Sequence, residues 1–308
     1  MAEKGAQKET FGDKARSFGR FLVNTEEGTV LGRNGKSWAG IGLFYLVYYS
    51  CLAGFFAAAL AIFYQMIDNK VPNLTGGDSL LKANPALGFR PMLKLDSTVI
   101  RFGPDSYQPY VDHLASFLKA YEKQDAAIKC DDGNNPRRPN MYDKACKFYL
   151  TDLDPCNEAN KFGYDKGQPC VLIKLNRVYD WQPEPYSTKA NDTDALPAEI
   201  RDIYQDYSVT VLCHGENPAD VDNMGAVKYF PHGGFAYKYF PYINQEGYVS
   251  PVVMVKFMAP KVQTLLMVEC RAYAKNIKYS QLDLDGAVHF ELLVDFPPES
   301  NTTKTVGK

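Results

Sequence analysis

From Ser37 to Ile67 the chain runs for 31 residues without an Asp, Glu, Lys or Arg, and no other feature restricts its fold so strongly. The apolar heart of the stretch, IGLFYLVYYSCLAGFFAAALAIFYQMI, begins at Ile41. As a helix rising about 1.5 Å per residue it would extend about 40 Å, against a bilayer hydrocarbon core of about 30 Å. A helix apolar on every side over that length has no polar face to offer as the surface of a soluble core. A cleavable signal peptide would carry only about 7–15 apolar residues near the N-terminus, ahead of a small-residue cleavage site, whereas 36 residues precede Ser37 here. The stretch therefore predicts one membrane-spanning helix over residues 37–67, with 1–36 as a tail.

Charge gives that helix a direction. Lys4, Lys8, Lys14, Arg16, Arg20, Arg33 and Lys36 precede it, while the next twenty residues after Ile67 carry only Lys70 and Lys82. The excess of cations marks the tail as cytoplasmic, so residues 68–308 face the lumen or the cell exterior. The cysteines agree with an oxidising side. Cys130, Cys146, Cys156, Cys170, Cys213 and Cys270 all lie beyond the span, and Cys51 lies within it. Six cysteines allow fifteen connectivities, and proximity in sequence favours Cys130 with Cys146, Cys156 with Cys170, and Cys213 with Cys270. No C-x-x-C occurs and only His214 adjoins a cysteine, which disfavours zinc. A net charge of −2 gives no general attraction to nucleic acid, and 21 Tyr with 18 Phe suit β structure and contact surfaces.

Taken in order, residues 1–24 read as a polar tail, disordered or lying at the membrane surface. Gly35-Lys36-Ser37 imitates the end of a phosphate-binding loop, but Val30 stands where that motif needs glycine. Lys36 and Trp38 instead suit the interfacial end of the span. At 100° per residue, Tyr45, Tyr48, Tyr49, Leu52, Phe56 and Phe63 share one face of the helix, and Ser50, Gly54, Ala57, Ala58 and Ala61 the opposite one. Ser50, Gly54 and Ala58 make a small-xxx-small series that admits close helix approach. Three tyrosine hydroxyls inside the hydrocarbon need acceptors that lipid lacks. Both stripes point to protein neighbours.

Residues 68–105 read as a linker, extended from Asp68 to Pro91, and 106–308 as the folded domain. Ser106 to Gln124 carries helical periodicity through Tyr110, Val111, Leu114, Phe117, Leu118 and Tyr121. Strand patterns cover Val171–Val178, Tyr207–Cys213, Ala226–Phe230, Phe235–Tyr242, Val252–Met258, Thr264–Tyr273 and Ala287–Phe296. Seven short strands, with Cys213 and Cys270 57 residues apart on two of them, suggest a sandwich of the immunoglobulin type. Val268 occupies the position two before Cys270 where a tyrosine corner would stand, so the expectation is Ig-like rather than a true immunoglobulin domain. The fold class is thus a single-pass type II membrane protein, with one transmembrane helix and a mainly β, disulfide-bonded ectodomain containing one amphipathic helix. Sequons at Asn73, Asn191 and Asn301 all lie beyond the span, Asn191 in the most polar setting.

Chemistry of the catalytic kind is not legible. His113, His214, His232 and His289 are scattered, without a nucleophile at motif spacing. Pairs such as Asp131-Asp132 sit among turn residues, where carboxylates are ordinarily solvated. No catalytic residue, metal ligand or cofactor is expected.

Three segments carry a resemblance: Phe21–Trp38 around Leu31-Gly32-Arg33, FYLVYYSCLAGF from Phe44 to Phe55, and FGYDKGQPCVLIKLNRV from Phe162 to Val178. With the spacing of the six outer cysteines, they resemble the β subunits of the sodium/potassium-transporting ATPase and of the gastric proton/potassium pump. The resemblance implies a non-catalytic glycoprotein of the plasma membrane. It would bind the catalytic α subunit of a P-type cation pump, assist its folding and delivery, and modulate its potassium affinity. It also implies the sequential cysteine pairing, an Ig-like ectodomain, Tyr45, Tyr48, Tyr49 and Phe56 against a helix of the α subunit, and accessory contacts with a small single-span regulatory subunit. Contact between β chains of adjacent cells, as in homophilic adhesion, is the alternative use. The family's Tyr-Tyr-Pro-Tyr-Tyr-Gly segment stands here as Tyr239-Phe240-Pro241-Tyr242-Ile243-Asn244, which implies an ectodomain contact through Tyr239, Phe240 and Tyr242. Three sequons weigh toward the sodium/potassium pump rather than the gastric one.

Overall fold

The computed structural model describes residues 11–68, 70–79, 84–130, 135–136, 141–186, 196, 198–201, 203–282 and 284–297. They fall into two compact units that divide after Asp68.

In the N-terminal unit, helix α1 (Phe11–Leu22) runs into a small antiparallel sheet of β1 (Val23–Asn24), β2 (Thr29–Val30) and β3 (Arg33–Asn34), which feeds helix α2 (Gly35–Met66). The tail, expected to be disordered or to lie at the membrane surface, is helical from Phe11 to Leu22. Phe18 and Leu22, one turn apart, continue an apolar stripe that the charges and glycines around it disguise. The meander turns at Gly28, Leu31 and Gly32, all at positive φ, and the Leu31 N–H donates to the Leu22 carbonyl at 3.0 Å. Asn34 caps α2 by accepting from the Ser37 N–H at 2.9 Å. Gly35-Lys36-Ser37 is thus the first turn of the apolar helix and not a phosphate loop. The Trp38 indole N–H donates to the Val30 carbonyl at 2.9 Å, tying the meander to α2. α2 has 32 residues, none of them buried, and is the one helix among the described residues long and apolar enough to cross a membrane.

The second unit is a two-layer β structure. One sheet has the order β4 (Leu87–Arg90), β6 (Cys170–Leu175), β10 (Val252–Phe257), β8 (Val227–Phe230) and is antiparallel throughout. The other has the order β5 (Val99–Phe102), β12 (Ala287–Val294), β11 (Leu265–Tyr273), β7 (Ser208–Gly215), β9 (Phe235–Ala236). Its pairs are antiparallel except β5 with β12, which run parallel. The sheets face each other through aromatic rings: Phe290 of β12 lies 5.2 Å from Phe89 of β4 and 6.2 Å from Phe257 of β10. Helix α3 (Gln108–Leu118) buries Tyr110, Val111, Leu114 and Leu118, and a 3-10 turn, Lys119–Tyr121, extends it. The expected helix of 106–124 is real but shorter at both ends.

Two expectations need correction. β4 and β5 lie inside the stretch 68–105 expected as linker, because Leu87, Phe89, Ile100 and Phe102 alternate inward and pair with β6 and β12. Strand Phe235–Tyr242 shrinks to two residues followed by a 3-10 turn, Tyr237–Tyr239; Pro241 has no N–H for a ladder. The bridges are Cys130–Cys146, Cys156–Cys170 and Cys213–Cys270, with Cα separations of 5.5, 6.0 and 3.9 Å. Cys213 and Cys270 are direct partners on neighbouring strands β7 and β11, so their bridge lies within one sheet and does not clamp two together. The sandwich stands on its facing aromatic rings instead. Finally, Asn191, Asn301 and Asp131-Asp132 lie outside the described residues.

Candidate partner-binding surfaces

The aromatic side of α2 is a continuous ring ladder. Tyr45 and Tyr49 stack at 5.8 Å, Tyr48 meets Tyr49 edge-on at 5.3 Å, and Phe44 stacks on Tyr48 at 6.1 Å. The spacing of four residues brings rings one turn apart into register. Phe44 joins the ladder although it sits off the tyrosine stripe, a neighbour that helical spacing at i and i+4 could have found. Phe56 continues the same side two turns beyond Tyr49, 65% exposed. Within the hydrocarbon, lipid offers the three tyrosine hydroxyls no acceptor. Cys51 is an exposed free thiol on α2.

Of the three expected ectodomain contacts, two are core residues. Tyr239 is 5% and Phe240 8% exposed. Tyr239 packs against Phe148 with centroids 5.6 Å apart, and Phe240 against Trp181 at 5.5 Å. Burial pushes the Tyr239 phenol well above its ordinary value, with Asp152 and Tyr149 adding to the rise. The chain turns there and leaves Tyr242 half-exposed at the surface. Its ring lies 4.9 Å from that of Tyr248, and the Arg177 guanidinium sits 5.2 Å from Tyr242 and 5.3 Å from Tyr248. The Gln245 amide fastens the turn, donating to the Pro241 carbonyl at 2.8 Å and accepting from the Ile243 N–H at 3.0 Å. Sequence reading missed Tyr248 and Arg177, although Arg177 lies within the FGYDKGQPCVLIKLNRV segment.

The first part of that segment, Phe162 to Gly167, is architectural. Phe162, Gly163 and Gly167 have φ of 50°, 75° and 66°, forming a tight double turn before β6. A Cβ on Gly163 would stand 2.1 Å from the Gln168 carbonyl oxygen, so no side chain fits. Tyr164, fully buried, stacks on Tyr110 at 5.8 Å and meets Phe102 edge-on at 4.7 Å.

Two of the four histidines, His214 and His289, lie on the second sheet. His214, Glu269 and His289 are register partners across β7, β11 and β12. The buried Glu269 carboxylate is held by Arg271 at 3.1 and 2.9 Å, with His214 at 3.7 Å. His289 is flanked by Glu216 and, at 3.1 Å, by Glu291. Among the described residues no group of three His, Cys, Asp or Glu is placed to hold a metal ion. Asn73 is exposed, six residues beyond Ile67.

The model of the family described as sodium / potassium ATPase beta chain matches residues 8–290. This chain belongs to that family. Among the beta chains it resembles, the probable sodium/potassium-transporting ATPase subunit beta-3 of Caenorhabditis briggsae is 37% identical over 288 residues, covering 91% of this chain and 87% of the relative. Subunit beta-2 of Drosophila melanogaster is 36% identical over 305 residues, covering 92% and 93%. Subunit beta-1 of Tetronarce californica is 31% identical over 292 residues, covering 88% and 93%. The beta chain is a non-catalytic subunit of the pump.

Proposed function

We propose that this chain is the accessory subunit of a sodium/potassium-transporting pump, assembling with the catalytic α subunit, assisting its folding and delivery to the plasma membrane, and modulating its potassium affinity. The observation that carries the reading is the uncovered aromatic ladder of α2 in a chain whose likeness to beta chains runs from residue 8 to residue 290. Tyr45, Tyr48, Tyr49 and Phe56 are the residues assigned to the α subunit's helices, and Tyr242 the ectodomain residue left exposed enough to add a contact. The opposite stripe of Ser50, Gly54 and Ala58 suits a second helix, such as that of a small single-span subunit. The tail is cytoplasmic and the sandwich extracellular, as the cations before the span and the disulfides after it support. Asn73, Asn191 and Asn301 are the glycosylation candidates.

Purification from membranes in mild detergent tests the assembly. A polytopic ATPase chain should co-purify in one-to-one ratio, and a beta chain recovered alone would overturn the reading. Orientation is tested separately: glycosidase should shift the mobility of the intact chain, and protease outside intact cells should spare an epitope placed before Phe21.

A further inference from the structure

On the ectodomain, a cleft of about 420 Å³ is lined by Phe117, Tyr121, Lys174, Leu175, Arg177 and Val249, with Ala120 and Ser250 completing it. Lys174 lies on β6 between Gly88 of β4 and Val252 of β10. Its stem runs over Gly88, where a Cβ would come within 3.3 Å of the Lys174 Cε. Arg177 is immobilised just beyond the strand: its Nε donates to the Ser250 hydroxyl at 2.9 Å, and its guanidinium is stacked by Tyr242 and Tyr248. The Tyr121 hydroxyl donates to the Ser250 carbonyl at 2.8 Å, fixing the opposite wall. Arg90, next along β4, places its guanidinium over the Phe117 ring at 5.9 Å and donates to the Phe89 carbonyl.

Three cations thus converge, and among the described residues none of them is ion-paired with a carboxylate. The crowding is felt: burial, then Arg90 and Arg177, hold the Lys174 ammonium below its ordinary value. Cations gathered without a carboxylate partner in a cleft form a candidate site for an anionic ligand. The volume lies within the range of about 300–1,000 Å³ used for organic ligands and exceeds what a bare inorganic anion needs. Phe117, Leu175 and Val249 offer an apolar wall beside the cations.

We propose that this cleft binds an oxyanion carried on an apolar body, held by Lys174 and Arg177 with its body against Phe117 and Val249. The oxyanion can be that of a free organic acid or of an acidic side chain on a docked partner, and the site stands whichever helix the membrane span takes.

The test is titration calorimetry on the full-length chain in lipid nanodiscs, with benzoate, its neutral analogue benzamide, and inorganic sulfate as probes. Benzoate should bind saturably, benzamide at least about tenfold more weakly, and sulfate should compete with benzoate. Lys174→Met keeps the stem over Gly88 and removes the charge, so it should weaken benzoate by about tenfold while leaving the thermal midpoint unchanged or higher. Equal affinity for benzoate and benzamide, no saturable benzoate binding, or undiminished binding by Lys174→Met would each overturn the proposal. The wild-type comparison of probes needs no variant to fold. Repeating it on the assembled complex separates the two sources: benzoate binding lost on assembly identifies a partner's acid as the occupant, and binding retained identifies a free organic acid.

Discussion

Cys213 and Cys270 face each other directly across the β7–β11 ladder, with Cα atoms 3.9 Å apart, so the longest covalent loop of the ectodomain is closed inside a single sheet. The ladder and the bridge therefore report on the same contact. Removing both cysteines by alanine should cost about 4 kcal/mol in the chain-entropy account, against about 3 kcal/mol for the shorter Cys130–Cys146 loop. Thermal unfolding of the two double variants measures the difference, and the far-ultraviolet sheet signal should survive in both, because the neighbouring ladder bonds remain.

Tyr239 and Tyr242, three residues apart, should behave oppositely. Tyr239→Ala empties a space in the core against Phe148 and should cost about 3–5 kcal/mol, seen as a lowered thermal midpoint and poor export. Tyr242→Ala exposes Arg177 but removes no core ring, so stability should change by less than about 1 kcal/mol. If Tyr239→Ala folds normally and loses only its partner, the buried assignment fails.

The ring ladder on α2 yields a graded result. One Tyr→Phe change should barely alter co-purification of the α subunit, since an interhelical hydrogen bond in a membrane is worth only about 0.6–2 kcal/mol. Replacing Tyr45, Tyr48 and Tyr49 together by Leu should release it. Ser50→Leu with Gly54→Leu is the control on the opposite face; retention by the tyrosine triple and loss by this pair would reverse the docking face.

A pH dependence follows from His289. Burial alone would depress its imidazolium, but hydrogen bonds to Glu291 and Glu216 outweigh burial and hold it above its ordinary 6.5. For Glu291 burial works upward, yet the Thr98 hydroxyl and His289 hold it below its ordinary 4.5. The raised imidazole contributes stability that is complete below pH 6.5 and is lost as pH rises through its folded value. The lowered carboxylate contributes above pH 4.5 and loses its share as pH falls through its folded value. His289→Gln should flatten the alkaline decline in thermal midpoint that begins near neutrality, and an unchanged profile would refute the assignment.

Gly163→Ala should be among the most damaging single-methyl changes in the ectodomain. The new Cβ would meet the Gln168 carbonyl oxygen at 2.1 Å, and positive φ adds about 1–2 kcal/mol of its own. Loss of cell-surface chain is the readout.

The span was legible because hydrocarbon imposes a single crude demand, absence of charge, that Ser37–Ile67 meets without exception. The long central strands were legible because Val252–Phe257 and Leu265–Tyr273 carry dense β-branched and apolar runs. β4 and β5 were not: four residues each, they lie among prolines and glycines, and only pairing to β6 and β12 makes them strands. The within-sheet position of Cys213–Cys270 was hidden for a similar reason, since a spacing of 57 residues says nothing about whether two strands are neighbours or face each other. Tyr239 and Phe240 misled because an aromatic run looks the same whether it meets a partner or its own core; the turn at Pro241 decides which. The cleft at Lys174 was invisible because its cations come from two strands and a loop that meet only in the folded sheet.

The parallel pairing of β5 with β12 gives the ectodomain an order of completion. β12 ends at Val294 and fills the place between β5 and β11, two strands made 160 or more residues apart in synthesis. Among the described strands β5 pairs with β12 alone, so neither β5 nor the second edge of β11 is covered before β12 is in place. Until then both edges leave backbone N–H and C=O groups unpaired. A chain cut before Ala287 would leave both edges bare, so closure of this sheet rests on β12.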